Sequence, residues 1–310
     1  MAHNVETMAY AGEVPWHGLG VQVAETISVD EMLKAASLDW MVNKFPTYYE
    51  MNGVRKSTGK YALVRESDGK FLSNVSDGWE PCQNADAFEL FNDFVKEGDM
   101  EMHTAGSLKD GQIVWGLAKM KDSFEVFKGD QIDQYLLLVN PHQFGHGIHV
   151  RSTPIRVVCN NTLSLSLGSA SKVEATQNHR KVFDVEEMKQ TLGLAREKLA
   201  KYKDMAEFLG LKRYDEMTLN EYMNVVFPSF SKKSPDLSRN AARAIDIIET
   251  QPGAEYAKGS WWQAFNAVTY LADHELGRNP DTRMQSAWLG ANKDRKNFAL
   301  EKAIEFAEAA

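Results

Sequence analysis

Cysteine is almost missing from this chain: Cys82 and Cys159 stand far apart and form no CxxC pair. That scarcity excludes a disulfide framework, argues against a structural zinc site and predicts a reducing compartment. No apolar run approaches the roughly 18 residues needed to span a bilayer, so no membrane partner is expected. The opening MAHNVETMAYAGEV lacks the basic and apolar regions of a signal peptide, and a cytoplasmic location is expected. Nucleotide signatures are also missing, since neither GxxxxGK[ST] nor GxGxxG occurs and Gly18-Leu19-Gly20 is too short to count. There is no GxSxG elbow, and Cys159 within VVCNN reads as a small buried hydrophobe. These absences argue against nucleotide hydrolysis, NAD chemistry and nucleophilic catalysis; no catalytic residue, cofactor or metal is assigned.

What is present is an ordinary globular composition, 43% hydrophobic and 25% charged, with a net charge of −8. The charge is uneven. Residues 1–150 hold 12 Lys and Arg against 22 Asp and Glu, whereas the remainder holds 23 against 21.

Periodicity and turn chemistry divide the chain into an irregular Gly-rich arm over 1–27, an α+β core over 28–170 and a mainly helical region over 171–310 packed on that core. Ser28-Val29-Asp30-Glu31 is a capping box that starts a short helix to about Leu38. A meander of antiparallel strands follows from Trp40, with turns at Asn52-Gly53 and Asp68-Gly69. Asn84 is placed to cap a helix whose apolar face is Ala87, Phe88, Leu90, Phe91 and Val95. Three more strands and the loop PHQFGHG lead into IHVRSTPIRVVCNN. Asp184 then caps a long charged helix over 184–210, and helices are expected at 218–227, 236–249, 260–276 and 294–308, with FPSFSKKSPDLS as a flexible connection. Hairpins enclosing helices, then a helical region, predict α+β architecture rather than a doubly wound parallel sheet.

The segment from Arg151 to Leu163 carries the densest chemical information. In a strand, Arg151 and Arg156 emerge on opposite faces unless a bulge near Pro154 resets the register, and two arginines in an apolar strand call for carboxylate or phosphate partners. Asn160, Asn161 and Thr162 suit a strand-to-helix junction, and Lys172, His179, Arg180 and Lys181 follow in a stretch poor in acids. Candidate nucleic-acid-binding residues are therefore Arg151, Arg156, Asn160, Asn161, Lys172, Arg180 and Lys181, with Trp16, Tyr48, Tyr49, Trp79 and Phe144 available for stacking. His142, His146 and His149 have spacings open to a metal but no acidic ligand nearby, and Asp273-His274 on a helix diverge rather than form a dyad.

Three motifs occur in order: Pro15-Trp16-His17-Gly18-Leu19-Gly20, Thr153-Pro154-Ile155-Arg156-Val157-Val158-Cys159-Asn160-Asn161-Thr162-Leu163, and the run from Gly259 through Trp261-Trp262-Gln263 to Asp273-His274. Together they resemble the phage- and plasmid-borne family catalogued as domain of unknown function 932. The resemblance implies a mobile-element origin and a bacterial cytoplasm, and it transfers no catalytic residue. In outline the architecture is also similar to Rad52- and RecT-like single-strand annealing proteins, oligomers that hold single-stranded DNA without nucleotide hydrolysis. The expected function is thus a non-enzymatic, homo-oligomeric protein that binds single-stranded DNA and mediates annealing or recombination. One alternative is an anti-defence protein that engages a host protein through its acidic half. Another is a metal-dependent enzyme gathering His17, His142, His146 and Asp273.

Overall fold

The computed structural model describes residues 5–12, 18–96, 98–156, 161–162, 174–229, 237–277 and 282–309; the side chains of 122, 156, 161–162, 174 and 189–200 lie outside that description. The architecture is α+β, with antiparallel sheets and a helical C-terminal region. The chain forms two compact units that interleave along the sequence. Unit 1 comprises Met1–Lys121, Tyr135–Ser152 and Glu174–Gly193; unit 2 comprises Asp122–Gln134, Thr153–Val173 and Leu194–Ala310. No helix among the described residues is long and apolar enough to cross a membrane.

The first strands are β1 (Val5–Ala11) and β2 (Val21–Val23), and they are parallel neighbours. Part of the stretch read as an irregular arm is therefore sheet, because β1 pairs antiparallel with β6 (Met100–Leu108). That register depends on a strand about a hundred residues away. From β6 the sheet continues through β7 (Ile113–Glu125) and β8 (Gln131–Pro141) to β9 (Ile148–Arg156), with β11 (Glu174–Gln177) also on β9. The short β10 (Asn161–Thr162) pairs with the end of β9. Every residue of β8 after Gln131 is buried, as in a central strand covered on both faces.

Two helices of unit 1 obey local rules. Helix α1 (Val29–Ala35) has both halves of its capping box, Glu31 N–H donating to Ser28 Oγ at 3.3 Å and Ser28 N–H to Glu31 Oε2 at 3.1 Å. Helix α2 (Asn84–Lys96) buries Ala87, Phe88, Leu90 and Phe91. Asn84 does not cap it with its side chain. The amide instead donates to Leu38 O at 3.0 Å, because burial forces its polar atoms to find partners inside the protein. Gly116 of β7 explains how close this helix lies, since a Cβ there would meet the Phe88 ring at 2.8 Å.

Gly106 of β6 is tighter still. An added Cβ would lie 2.3 Å from the Trp115 ring and 2.5 Å from the main-chain oxygen of Thr7. The carbonyl belongs to a paired strand and has no room to retreat. Gly106→Ala is expected to cost about 1–3 kcal/mol of stability, read as a lower urea midpoint at unchanged slope. An unaltered midpoint would show that the strand shifts freely.

A second sheet in unit 1 has the order β3 (Val42–Met51), β4 (Val54–Arg65), β5 (Phe71–Val75). Arg65 anchors it: its guanidinium is bidentate to Glu6 at 2.8 and 2.9 Å and reaches Asp68 at 2.7 and 2.9 Å. Gln112 adds a bond to Leu72 O at 2.8 Å. The base of this sheet is therefore held, while the distal parts of β3 and β4 extend as an exposed ribbon.

Unit 2 is built around Trp261, Trp262, Tyr222 and Phe265, all fully buried. Its helices are the later part of α3 (Val185–Leu211), then α4 (Glu216–Val226), α5 (Arg239–Ile247), α6 (Trp261–Tyr270), α7 (Arg283–Leu289) and α8 (Ala291–Ala309). Asp184, Asp215, Ser238 and Ser260 each accept a main-chain N–H as N-caps. After α6 the chain widens into a π-helical turn, Leu271–Glu275. There Asp273 and Lys296 form a buried ion pair at 2.6 Å, while the His274 ring lies beside Tyr270. Asp273 and His274 thus diverge, as neighbours on a helix should. The connection expected at FPSFSKKSPDLS lies mostly outside the described residues.

Candidate nucleic-acid interface

The residues first expected to bind DNA do not assemble into one described site. Arg151 is half-buried and pairs in register with Glu174. Arg156 pairs through its main chain with Asn161, and neither side chain is described; Asn160 and Lys172 lie wholly outside the described residues. Arg180 is exposed on a turn closed by its N–H donating to Asn178 Oδ1 at 3.1 Å. Lys181 is engaged by Glu187 at 2.6 Å, which offsets its charge.

The stacking candidates divide more cleanly. Trp79 is buried against the His179 ring, with centroids 4.1 Å apart, and Trp16 is outside the described residues. Tyr48, Tyr49 and Phe144 are exposed. Opposite residues of an antiparallel pair share a face, and faces alternate along each strand. Phe45 pairs with Ala62, which pairs with Asn74, so these three point outward together. Val64 pairs with Phe71 on the same side. Further along β3 the register shifts, and β4 places Thr58, Gly59 and Lys60 opposite the single residue Thr47. Gly59 takes a φ of +69° there, a conformation that suits glycine. Thr47 Oγ1 donates to Lys60 O at 2.9 Å and Thr58 Oγ1 to Thr47 O at 3.1 Å, satisfying main-chain groups that the shift leaves without a ladder. Beyond it, Tyr49 pairs with Lys56 and Met51 with Val54.

One outer face therefore presents Phe71, Phe45 and Tyr49, with Phe144 beside it, at 54, 51, 47 and 63% exposure. Phe45 and Tyr49 are about 13 Å apart at the usual rise per strand residue. Lys60 and Lys56 belong to the same face, and Arg55 lies over the Tyr48 ring on the other, 3.9 Å from its centroid. Lys44 is spent elsewhere, over Tyr61 at 4.7 Å and near Glu80 at 3.7 Å. Among the described residues, Arg55, Lys56 and Lys60 have no carboxylate ion pair.

Residues 42–65 hold five of the 12 basic residues of the first 150 but only one of the 22 acidic ones. A count over residues 1–150 as a whole averages this basic ribbon into an acidic background and hides Arg55, Lys56 and Lys60. Phe45, Phe71 and Asn74 carry no charge signal, and only the sheet register turns them to one face.

The histidines are not a metal centre in what is described, where no group of three or more His, Cys, Asp or Glu side chains converges. His142 is buried, its Nε2 2.9 Å from Asn84 Oδ1; the Asn84 amide donates elsewhere, so the ring must donate here. Burial, then the nearby His179, pushes His142 down to about 3, and burial pushes His179 down to about 4. Both folded values lie below the ordinary 6.5, so the unfolded chain takes protons first as pH falls. Stability present at pH 7.5 should erode below about 6.5, by roughly 1 kcal/mol per histidine at pH 5.5. Urea titrations at the two pH values test this, and His142→Gln should about halve the difference; equal midpoints in the native protein would refute it.

The Domain of unknown function (DUF932) family matches residues 71–289. The chain belongs to the DUF932 family. No curated protein and no solved structure matches it, so the likeness to Rad52- and RecT-type annealing proteins has no support. In this DUF932 protein the family span begins at β5, and the β3–β4 ribbon precedes it.

Proposed function

We propose that this DUF932 protein binds single-stranded DNA on the outer face of the β3–β4–β5 sheet. The observation that carries the reading is a row of exposed aromatic rings on one sheet face, flanked by Lys56 and Lys60, which have no carboxylate partner among the described residues. Stacking on such rings contributes about 1–3 kcal/mol per base and tolerates any sequence. It needs exposed base faces, which a duplex hides, so single strands are favoured. The ribbon cations supply phosphate contacts, while the acidic remainder of residues 1–150 repels the strand from other surfaces and confines it to the ribbon. Strand annealing by a homo-oligomer in a bacterial cytoplasm is the finer form of this proposal.

Anisotropy of fluorescent single- and double-stranded oligonucleotides across a salt series tests the reading. Tighter, salt-dependent binding of the single strand is expected. No binding of either at 50 mM salt would overturn it and favour a host protein as the occupant of the ribbon.

A further inference from the structure

The reverse face of the same ribbon is also open. Faces alternate along a strand, so Pro46, Tyr48 and Glu50 of β3 point away from Phe45, Thr47 and Tyr49, with Ser57 and Arg55 beside them across the ladder. Towards the base this reverse face is closed. Val42, Leu63 and Arg65 are buried there, and Lys44 lies over the Tyr61 ring and donates to Asp77 O. From Pro46 to the Asn52-Gly53 turn it is exposed, Tyr48 at 46% even with the Arg55 guanidinium over its ring. The distal ribbon is thus two strands largely exposed on both faces, an arrangement only marginally stable in water by itself.

We propose that this reverse face packs on the same face of a second copy of the chain, joining two ribbons back to back in a two-fold dimer. The charges decide the occupant. Glu50 is the sole acid of residues 42–65 and stands directly opposite Arg55. Arg55 nevertheless turns to the Tyr48 ring, and neither charge forms an ion pair among the described residues. One patch therefore holds an unpaired carboxylate, an unpaired guanidinium and an apolar platform of Tyr48 and Pro46. A two-fold axis makes such a patch complementary to itself, because each Glu50 meets Arg55 of the other copy and the contact occurs twice. Guanidinium and carboxylate form the stronger, charge-assisted kind of hydrogen bond. A wholly acidic or wholly basic partner would satisfy just one of the two charges. The patch is smaller than the interfaces of permanent dimers, roughly 2,000 Å² and more, so association is concentration-dependent. The inference rests on the homo-oligomer of the proposed function and names its contact, and it leaves Phe45, Tyr49 and Lys60 facing outward for the strand.

Sedimentation velocity of the full chain without DNA, from about 1 to about 200 µM, tests this by mass action. The native protein should pass from monomer to dimer across that range. Glu50→Arg or Arg55→Glu alone should weaken the dimer by about tenfold or more, since like charges then face each other across the axis. An equimolar mixture of the two variants should restore it, because one variant brings two cations to the patch and the other two carboxylates. Both side chains are exposed, so the fold should survive either change, with urea midpoints as the check. A native protein that stays monomeric, variants that dimerise as the native does, or a mixture that stays monomeric each overturns the back-to-back dimer and leaves this face to a different partner. Strand binding is read separately by anisotropy, so either proposal can fail without the other.

Discussion

Replacing Lys56 and Lys60 together with alanine is expected to cut single-strand affinity about twentyfold at 0.1 M salt. Each phosphate contact on a single strand contributes about 0.7 to the slope of log affinity against log salt. Losing two lowers the slope by about 1.4, and the native and variant curves should converge toward 1 M salt. Both side chains are exposed on the distal ribbon, beyond the Arg65–Glu6 anchor, so the loss should not reflect unfolding. The stacking component is separable. Phe45→Ala and Tyr49→Ala should each weaken binding by a factor that salt does not change. Arg180→Ala serves as the control from the region first expected to bind. A large loss there, with an unaffected ribbon variant, would move the interface back to the β11–α3 turn and defeat the present placement.

The second large effect concerns Lys296 in unit 2. Lys296→Met is expected to destabilise the protein by about 3–5 kcal/mol, because it removes the ammonium held 2.6 Å from the buried Asp273 carboxylate. Both partners are almost wholly buried, at 1 and 7% exposure, so solvent cannot take the place of the lost ammonium. Pairing the change with Asp273→Leu should recover most of the loss, since removing both charges avoids the uncompensated group. Urea unfolding of the single and double variants measures the difference. A mild single variant, within about 1 kcal/mol of native, would show that water or a neighbouring group reaches Asp273.

Local signals were legible wherever the determining atoms lie within a few residues of one another. The capping box at Ser28 and Glu31, the Asp184 cap, and the turns at Asn52-Gly53 and Asp68-Gly69 all come from such short-range chemistry. Asn84 shows the limit of that reasoning. Its type and position suit an N-cap, but two distant segments, one at Leu38 and one at Asn140 and His142, converge on its amide and draw the side chain into the core. β1 shows it again, since a strand within a Gly-rich stretch has no local mark until β6 arrives beside it.

For the candidate site, the tyrosines at 48 and 49 and the phenylalanine at 144 were visible as stacking residues, but not whether they faced solvent. Arg151, Arg180 and Lys181 look free in one dimension. Only the folded chain sets Glu174 in register with Arg151 and brings Glu187 to Lys181. The α+β class, the helix caps, the hairpin turns and the absence of nucleotide-binding signatures were determined by the sequence itself, because hydrophobic period, caps and turns act over a few residues. Which face of β3–β5 is open, which cations have no partner, and which polar groups are buried together were decided by tertiary structure. Exposure and charge pairing depend on whatever distant segment covers a face, and no local pattern carries that information.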